Sequence, residues 1–241
     1  MLRAKYHTFA IAAIAALLAV ETPAQVADPR SEFQPNVTAE EKSWAENLKR
    51  SAERGDAEAQ FNLSQNYMDG HVFKQSWPET VRWLRASADQ GFPESQANLG
   101  ALYYVGKGVA RDYSQAVLWS RKAADQGNVK AEYNLGLMYA AGQGVKKNNE
   151  QAVRWYLKSA EQGHQVAAYD VGIAYWYGMG VQQDQVKGYK WLLLALRFGW
   201  AQSKQTLDTL GPTLGPARLA EARRLAKEWV KAHPDVKGVS L

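Results

Sequence analysis

Four tryptophans, Trp83, Trp119, Trp155 and Trp191, stand 36 residues apart each time. The same interval separates Tyr67, Tyr103, Tyr139 and Tyr175, and also Gly70, Gly106, Gly142 and Gly178. Gly55, Gly91, Gly127, Gly163 and Gly199 keep it once more. A fixed period of this length is the signature of a stacked repeat, in which no single unit buries its apolar face alone. The chain must therefore be read in units of 36 residues.

Each unit reads as two helices. In the third, Ala131, Leu135 and Met138 recur at helical spacing, as do Ala152, Trp155, Tyr156 and Ser159, so each segment carries one apolar stripe. Gly142 and Gly163 follow them as stops, where a left-handed residue closes a helix. Ser76, Asp112, Asn148 and Asp184 precede the second helices, followed three residues later by Glu79, Gln115, Gln151 and Lys187. The first three of these pairs predict capping boxes. Gly100, Gly136 and Gly172 lie inside the first helices. A glycine there costs about 1 kcal/mol relative to alanine, so the position predicts a close helix approach, with the tryptophans filling the space between neighbouring units.

This pattern resembles the Sel-one-like repeat (SLR), a relative of the tetratricopeptide repeat (TPR). The resemblance rests on Leu99, Gly100, Tyr103, Gly106, Gly108, Val109, Asp112, Ala116, Trp119 and Gly127, and repeats over Leu135 to Gly163 with Asn148 as cap. It implies an all-α fold, a right-handed solenoid of helix-turn-helix repeats, and a role in binding proteins. The first unit departs from the pattern, with Val72 in place of the second loop glycine, Ser64 in place of the helix glycine, and Trp77-Pro78 after the cap. A differently shaped loop is expected there. In the fourth, Gly188 replaces the alanine and Val171 the leucine.

The flanks complete a six-part organisation. Arg3 and Lys5, the apolar run from Phe9 to Val20, and Thr22-Pro23-Ala24 have the order of a secretory signal peptide. The run is shorter than the roughly 20 residues of a spanning helix. Residues 1–24 are thus expected to be cleaved after Ala24, leaving a periplasmic or secreted protein with no stable membrane insertion; the alternative is an uncleaved anchor. Residues 25–37 read as a flexible linker and 38–54 as an N-terminal capping helix opened by Thr38 and Glu41. Four repeats follow at 55–90, 91–126, 127–162 and 163–198. A degenerate first-type helix from Gly199 to Gly211 and a last helix from about Leu214 to Lys231 form the C-terminal cap, with Leu219, Ala222, Leu225, Ala226 and Trp229 inward, before a tail at 232–241.

Chemistry is sparse. The chain of 241 residues has no cysteine, which excludes disulfides, thiolate metal sites and a cysteine nucleophile. His71, His164 and His233 lie in different loops or the tail without ligand spacing, and His7 lies in the leader. No catalytic residue, cofactor or metal is expected. The net charge of +5 is dispersed, where nucleic-acid binding needs a basic stripe on one face. The expected partner is another protein or peptide, bound by a monomer in a concave groove lined by the first helices. By register the groove carries Glu58, Glu94, Lys130 and Val166, then Asn62, Asn98, Asn134 and Asp170, then Gln65, Ala101, Leu137 and Ile173, then Asp69, Val105, Ala141 and Tyr177. Tyr104, Trp176 and Tyr177 are the aromatic anchors expected there. The asparagine row has two readings: it holds an extended peptide backbone, or it closes each repeat's own loop, the second being favoured because local side-chain to backbone bonding is what asparagine does most often. The resemblance implies adaptor work in envelope assembly, signalling or host contact. A rival from another class is a hydrolase acting on cell-wall or β-lactam-like substrates, which a cysteine-rich branch of the family brings to mind and the absence of cysteine opposes.

Overall fold

A computed structural model describes residues 32–236. The expected signal peptide, residues 25–31 of the expected linker and residues 237–241 of the tail lie outside the described residues. The chain divides into two compact units that meet within one helix, at Lys122 and Ala123. The first holds α1 (Ala39–Glu53), α2 (Ala57–Asp69), α3 (Trp77–Asp89), α4 (Pro93–Val105) and most of α5 (Tyr113–Ala124). The second holds α6 (Val129–Ala141), α7 (Asn149–Glu161), α8 (Gln165–Tyr177), α9 (Gln185–Arg197), α10 (Gln202–Leu214) and α11 (Pro216–Ala232). Among the described residues the fold is a succession of helical hairpins, the all-α architecture expected from two apolar helical stripes per unit and TPR-like as the resemblance implies.

Close helix approach explains the glycines inside the first helices. A Cβ at Gly136 on α6 would lie 2.3 Å from the Tyr156 ring of α7, and one at Gly172 on α8 would lie 3.0 Å from the Gly188 carbonyl of α9. Within the first unit, a Cβ at Gly100 would lie 2.6 Å from Ser120 Oγ. Loop geometry explains another set: Gly142 closes α6 at φ +74°, donating its N–H to the Met138 carbonyl. L-residues adopt such a φ at a steric cost that glycine escapes.

The four repeat tryptophans are buried, between 4 and 7 % exposed. Trp83 shares a core cluster with Ala45 and Ala52 of α1 and with Leu63 and Tyr67 of α2, and Trp119 shares one with Val81 and Leu84 of α3. A cation from the same helix lies over each indole: Arg82 on Trp83, Lys122 on Trp119, Lys158 on Trp155 and Lys190 on Trp191, at 4.1 to 4.7 Å from the ring centroids. The long side-chain stems thereby shield what packing leaves open, and the charged heads stay near water.

The caps of the second helices are half of what the capping boxes predict. Asp112, Asn148 and Asp184 each accept the N–H three residues on at 3.0 Å, and Ser76 does so at 3.4 Å. The reciprocal bond does not form, because each cap's own N–H is already given to the tyrosine carbonyl of the preceding helix. Ser76 donates to Tyr67, Asp112 to Tyr103, Asn148 to Tyr139 and Asp184 to Tyr175, all at 2.9 Å. That bond closes the hairpin. Among the described residues a full capping box forms at Thr38 and Glu41, where no preceding helix offers the cap a tyrosine carbonyl.

The N-terminal segment also differs from the expected linker. Phe33 pairs in an isolated antiparallel bridge with Phe73, Gln34 N donates to the Val72 carbonyl at 2.8 Å, and Lys74 N donates to the Glu32 carbonyl at 2.8 Å. The Phe33 and Phe73 rings stack at 5.1 Å, and Phe73 stacks on Tyr67 at 4.7 Å. Val72 stands where the later loops carry a positive-φ glycine, so the backbone here takes a different path, and the bridge forms at the next residue, Phe73. At the other end, α10 continues past Gly211 and Pro212 to Leu214, and Gly215 at φ +78° turns the chain into α11. Ala222, Ala226 and Val230 face inward there.

Candidate interaction site

The first helices set the candidate site, and the structure sorts the expected residues into three groups. Glu58, Asn62, Glu94 and Lys130 are exposed. Gln65, Asn98, Asn134, Asp170, Tyr104 and Tyr177 are partly buried. Trp176 is 5 % exposed and belongs to a core cluster with Ile173, Tyr189, Leu192 and Leu207. This corrects its assignment as an anchor for a partner: its ring is spent on packing. Val166 and Ile173 are buried likewise. Tyr104 stands edge-on to Tyr113 at 5.4 Å, and Tyr177 packs beside the same core cluster as Trp176. The Gln65 Nε2 is buried without a hydrogen-bond partner among the described residues.

The asparagine row departs from the reading favoured in the sequence. Among the described residues, the side chains of Asn62, Asn98 and Asn134 form no hydrogen bond and close no loop. Glutamine does that work in two repeats: Gln75 Nε2 donates to the Met68 carbonyl and Gln183 Nε2 to the Trp176 carbonyl, both at 2.8 Å. Each free amide therefore keeps one acceptor and two donors for something outside the fold.

In the second unit the row ends on an acid with a different environment. Tyr133 of α6 donates its hydroxyl to Asp170 Oδ2 of α8 at 3.2 Å. The Tyr133 ring stacks on His164 at 4.6 Å and leans on Tyr156 at 5.6 Å. Desolvation pushes the Asp170 carboxyl up to about 7, against the opposing pull of the Tyr133 bond. The same desolvation, with Lys130 nearby, brings His164 down to about 4, so its imidazole is neutral at pH 7. His164 Nδ1 meanwhile accepts the Ala167 N–H at 3.2 Å and caps α8. Close by in sequence, Glu132 is buried and is raised to about 6, again by desolvation, while Gln162 Nε2 donates to it at 2.8 Å. The link from Tyr133 to Asp170 spans 37 residues, one repeat plus one, an interval that register alone could have exposed.

A cavity of about 610 Å³ opens elsewhere in the second unit, between Val153, Leu157 and Tyr175 and the loop at Val181. Its charged lining is already matched: Arg154 pairs with Glu150 at 2.5 Å and Lys187 with Asp184 at 3.1 Å. Among the described residues no group of three or more histidines and acids could hold a metal ion, and no helix is long and apolar enough to cross a membrane.

The family model for the Sel1 repeat matches residues 57–92, 93–128, 129–164 and 165–197. The chain belongs to the Sel1 repeat family. Each matched segment begins on the first residue of a first helix, α2, α4, α6 or α8, two residues after the repeat boundaries read from the glycines. Sel1 repeats are generally protein-interaction modules, and the scaffold is typically non-catalytic. Among solved structures, a protective antigen of uropathogenic Escherichia coli with an SLR fold is 35% identical with a TM-score of 0.70, over 78% of this chain and 40% of that one. The chain thus spans less than half of that antigen's length. A Sel1 repeat protein from Oxalobacter formigenes is 28% identical with a TM-score of 0.68, over 80% of this chain and 78% of its own. A comparison with curated protein sequences finds no match.

Proposed function

We propose that this chain is an exported, periplasmic or secreted adaptor whose first helices hold an extended segment of a partner protein. The observation that carries the reading is the amides without a partner among the described residues, Asn62 and Asn98 in the first unit and Asn134 in the second, each unit offering its own stretch of the face. A side-chain amide matches a peptide group donor for acceptor, and an extended chain presents such groups at regular intervals. Exposed Glu58, Glu94 and Lys130 flank the amides on the same helices and add charge selectivity at the rim. Export rests on the basic, apolar and small-residue order of the first 24 residues.

Random peptides displayed on phage and selected on the purified protein test the binding reading. Enriched peptides are expected to lose at least about tenfold in affinity, roughly 1.4 kcal/mol, against Asn98→Ala in the first unit or Asn134→Ala in the second. Peptides insensitive to both substitutions would overturn it. A fusion of the first 30 or so residues, enough to carry the signal pattern, to an alkaline phosphatase that is active only outside the cytoplasm tests export. An inactive fusion would refute that part.

A further inference from the structure

Asp170 is the one acid in a row of amides: Asn62, Asn98 and Asn134 hold the same register in the preceding repeats. The Tyr133 hydroxyl occupies its Oδ2, and among the described residues nothing else donates to this carboxyl. Among the described residues no lysine, arginine or histidine pairs with it, whereas Glu150, Asp184, Asp208, Glu221 and Glu228 of the same unit all have a cation within 3.1 Å. The residue is partly buried, and its second oxygen is not among the fully buried unpartnered atoms of the described residues, so the carboxyl sits at the edge of the packing rather than inside it.

The bond to tyrosine does not explain the charge. Tyr169, one repeat after Tyr133, makes the equivalent contact across the same interval of 37 residues to the Thr206 hydroxyl at 3.2 Å. A neutral oxygen therefore serves that bridge between first helices. An asparagine, the residue of the row, would serve it too, since its carbonyl oxygen accepts from a hydroxyl. A carboxylate at this place is costly to desolvate, which its upward displacement to about 7 reflects, and buried charges are retained where something compensates them.

On the reading of the first helices as a peptide-binding face, we propose that Asp170 receives a lysine side chain of the bound segment, while Asn134 holds the adjoining peptide backbone. The Tyr133 hydroxyl already engages one lone pair of Oδ2, which leaves Oδ1 as the one oxygen wholly free. That suits a compact ammonium better than the planar fork of arginine, which asks for two oxygens side by side. His164, stacked on Tyr133, brings no competing positive charge at neutral pH.

The test takes the tightest peptide selected by phage display on the purified protein and makes it with lysine, norleucine or acetyl-lysine at each lysine position. Affinities are read by fluorescence anisotropy at neutral pH on the unaltered protein, Asn134→Ala and Asp170→Asn. Asp170→Asn restores the residue of the row and keeps the acceptor for Tyr133, so folding is safe. At one position the lysine form should bind at least about tenfold tighter than the norleucine and acetyl-lysine forms, and that preference should vanish in Asp170→Asn. Peptides that need Asn134 yet bind equally with lysine or norleucine, or that keep a lysine preference in Asp170→Asn, would overturn the assignment and leave the peptide-binding reading intact. Peptides indifferent to Asn134→Ala would sink the peptide-binding reading of this unit, and the assignment with it.

Discussion

The Tyr133 hydroxyl reaches across from α6 to Asp170 on α8 at 3.2 Å, joining two first helices through a group whose charge nothing in the described chain balances. This single contact ties the stability of the second unit to proton concentration. Asp170 is raised from its ordinary range to about 7, so between about pH 4 and 7 the folded state holds a proton that the unfolded state has released. Its contribution is present at low pH and is lost as pH rises, with a slope of at most about 1.4 kcal/mol per pH unit. Urea titrations at pH 5 and pH 7 should show Asp170→Asn losing less stability over that interval than the unaltered protein. An equal loss in both would contradict the desolvated, uncompensated carboxyl.

His164 works in the opposite direction. Lowered to about 4 by burial, it takes up a proton more readily when unfolded, so between about pH 4 and 6.5 its contribution grows as pH rises. Asparagine caps the equivalent helix at Asn128, where its side chain accepts from the Ala131 N–H at 3.1 Å. His164→Asn should therefore keep the cap, cost less than about 1 kcal/mol at pH 7, and fall more steeply in stability between pH 4.5 and 6.5. Thermal melts across that range decide it.

Glu132 occupies a place that glutamine fills in the preceding repeats. Gln60 Nε2 donates to the Ala52 carbonyl at 3.0 Å and Gln96 Nε2 to the Ala88 carbonyl at 3.1 Å, each reaching the end of the helix before it. Gln60 also accepts from Gln90 at 2.7 Å, as Glu132 does from Gln162 at 2.8 Å. Glu132→Gln should therefore restore a donor toward the Ala124 carbonyl and remove a desolvated charge. A gain of about 1 kcal/mol at pH 8 is expected from chemical denaturation. It should shrink toward pH 5, where the acid, raised to about 6, protonates by itself.

Gly136→Ala pits helix propensity against space. Alanine gains about 1 kcal/mol in a helix interior, but its Cβ would sit 2.3 Å from the ring of Tyr156, itself buried. Overpacking of this kind typically costs about 1–3 kcal/mol, so a net loss is expected. Combining it with Tyr156→Leu should recover part of the loss in a melting experiment. Stabilisation by Gly136→Ala alone would disprove the close approach.

Phe33→Ser should release the N-terminal segment without harming the helices. The observable is amide exchange at Gln34, whose N–H is held by the Val72 carbonyl at 2.8 Å. Protection there should fall while amides inside α2 and α3 keep theirs.

Period and residue type carried the architecture. Fixed spacing placed every repeat helix, because each first helix must find its glycine and each second helix its tryptophan at one distance along the chain. What register could not show was competition for the same atoms. The predicted capping boxes failed at Asp112 and Asn148 because a tyrosine carbonyl had already taken the N–H of the cap. The amide row was assigned inward because asparagine bonds locally as a rule, and Gln75 and Gln183 had in fact taken those carbonyls. Trp176 looked like an anchor because it does not repeat, yet its neighbours Leu192 and Leu207 enclose it. The segment at Glu32 to Val37 read as slack because two prolines and little apolar content precede α1, whereas Phe33 finds Phe73. Such pairings depend on which of several donors, acceptors or rings the fold brings within reach, and spacing is silent on that.

The second loop glycine also limits how such an array can grow. At Gly180 a Cβ would lie 2.4 Å from the backbone of Asn149, and at Gly108 one would lie 3.1 Å from Trp77 Cβ, so an inner hairpin must leave that corner bare for the one before it. Val72 fills the corner in the first hairpin, and residues 32–34 lie along it. Tandem duplication can therefore copy the second, third or fourth hairpin and lengthen the protein from within. A copy of the first, inserted downstream, would carry a side chain into its neighbour's backbone, which makes this hairpin an end piece by construction.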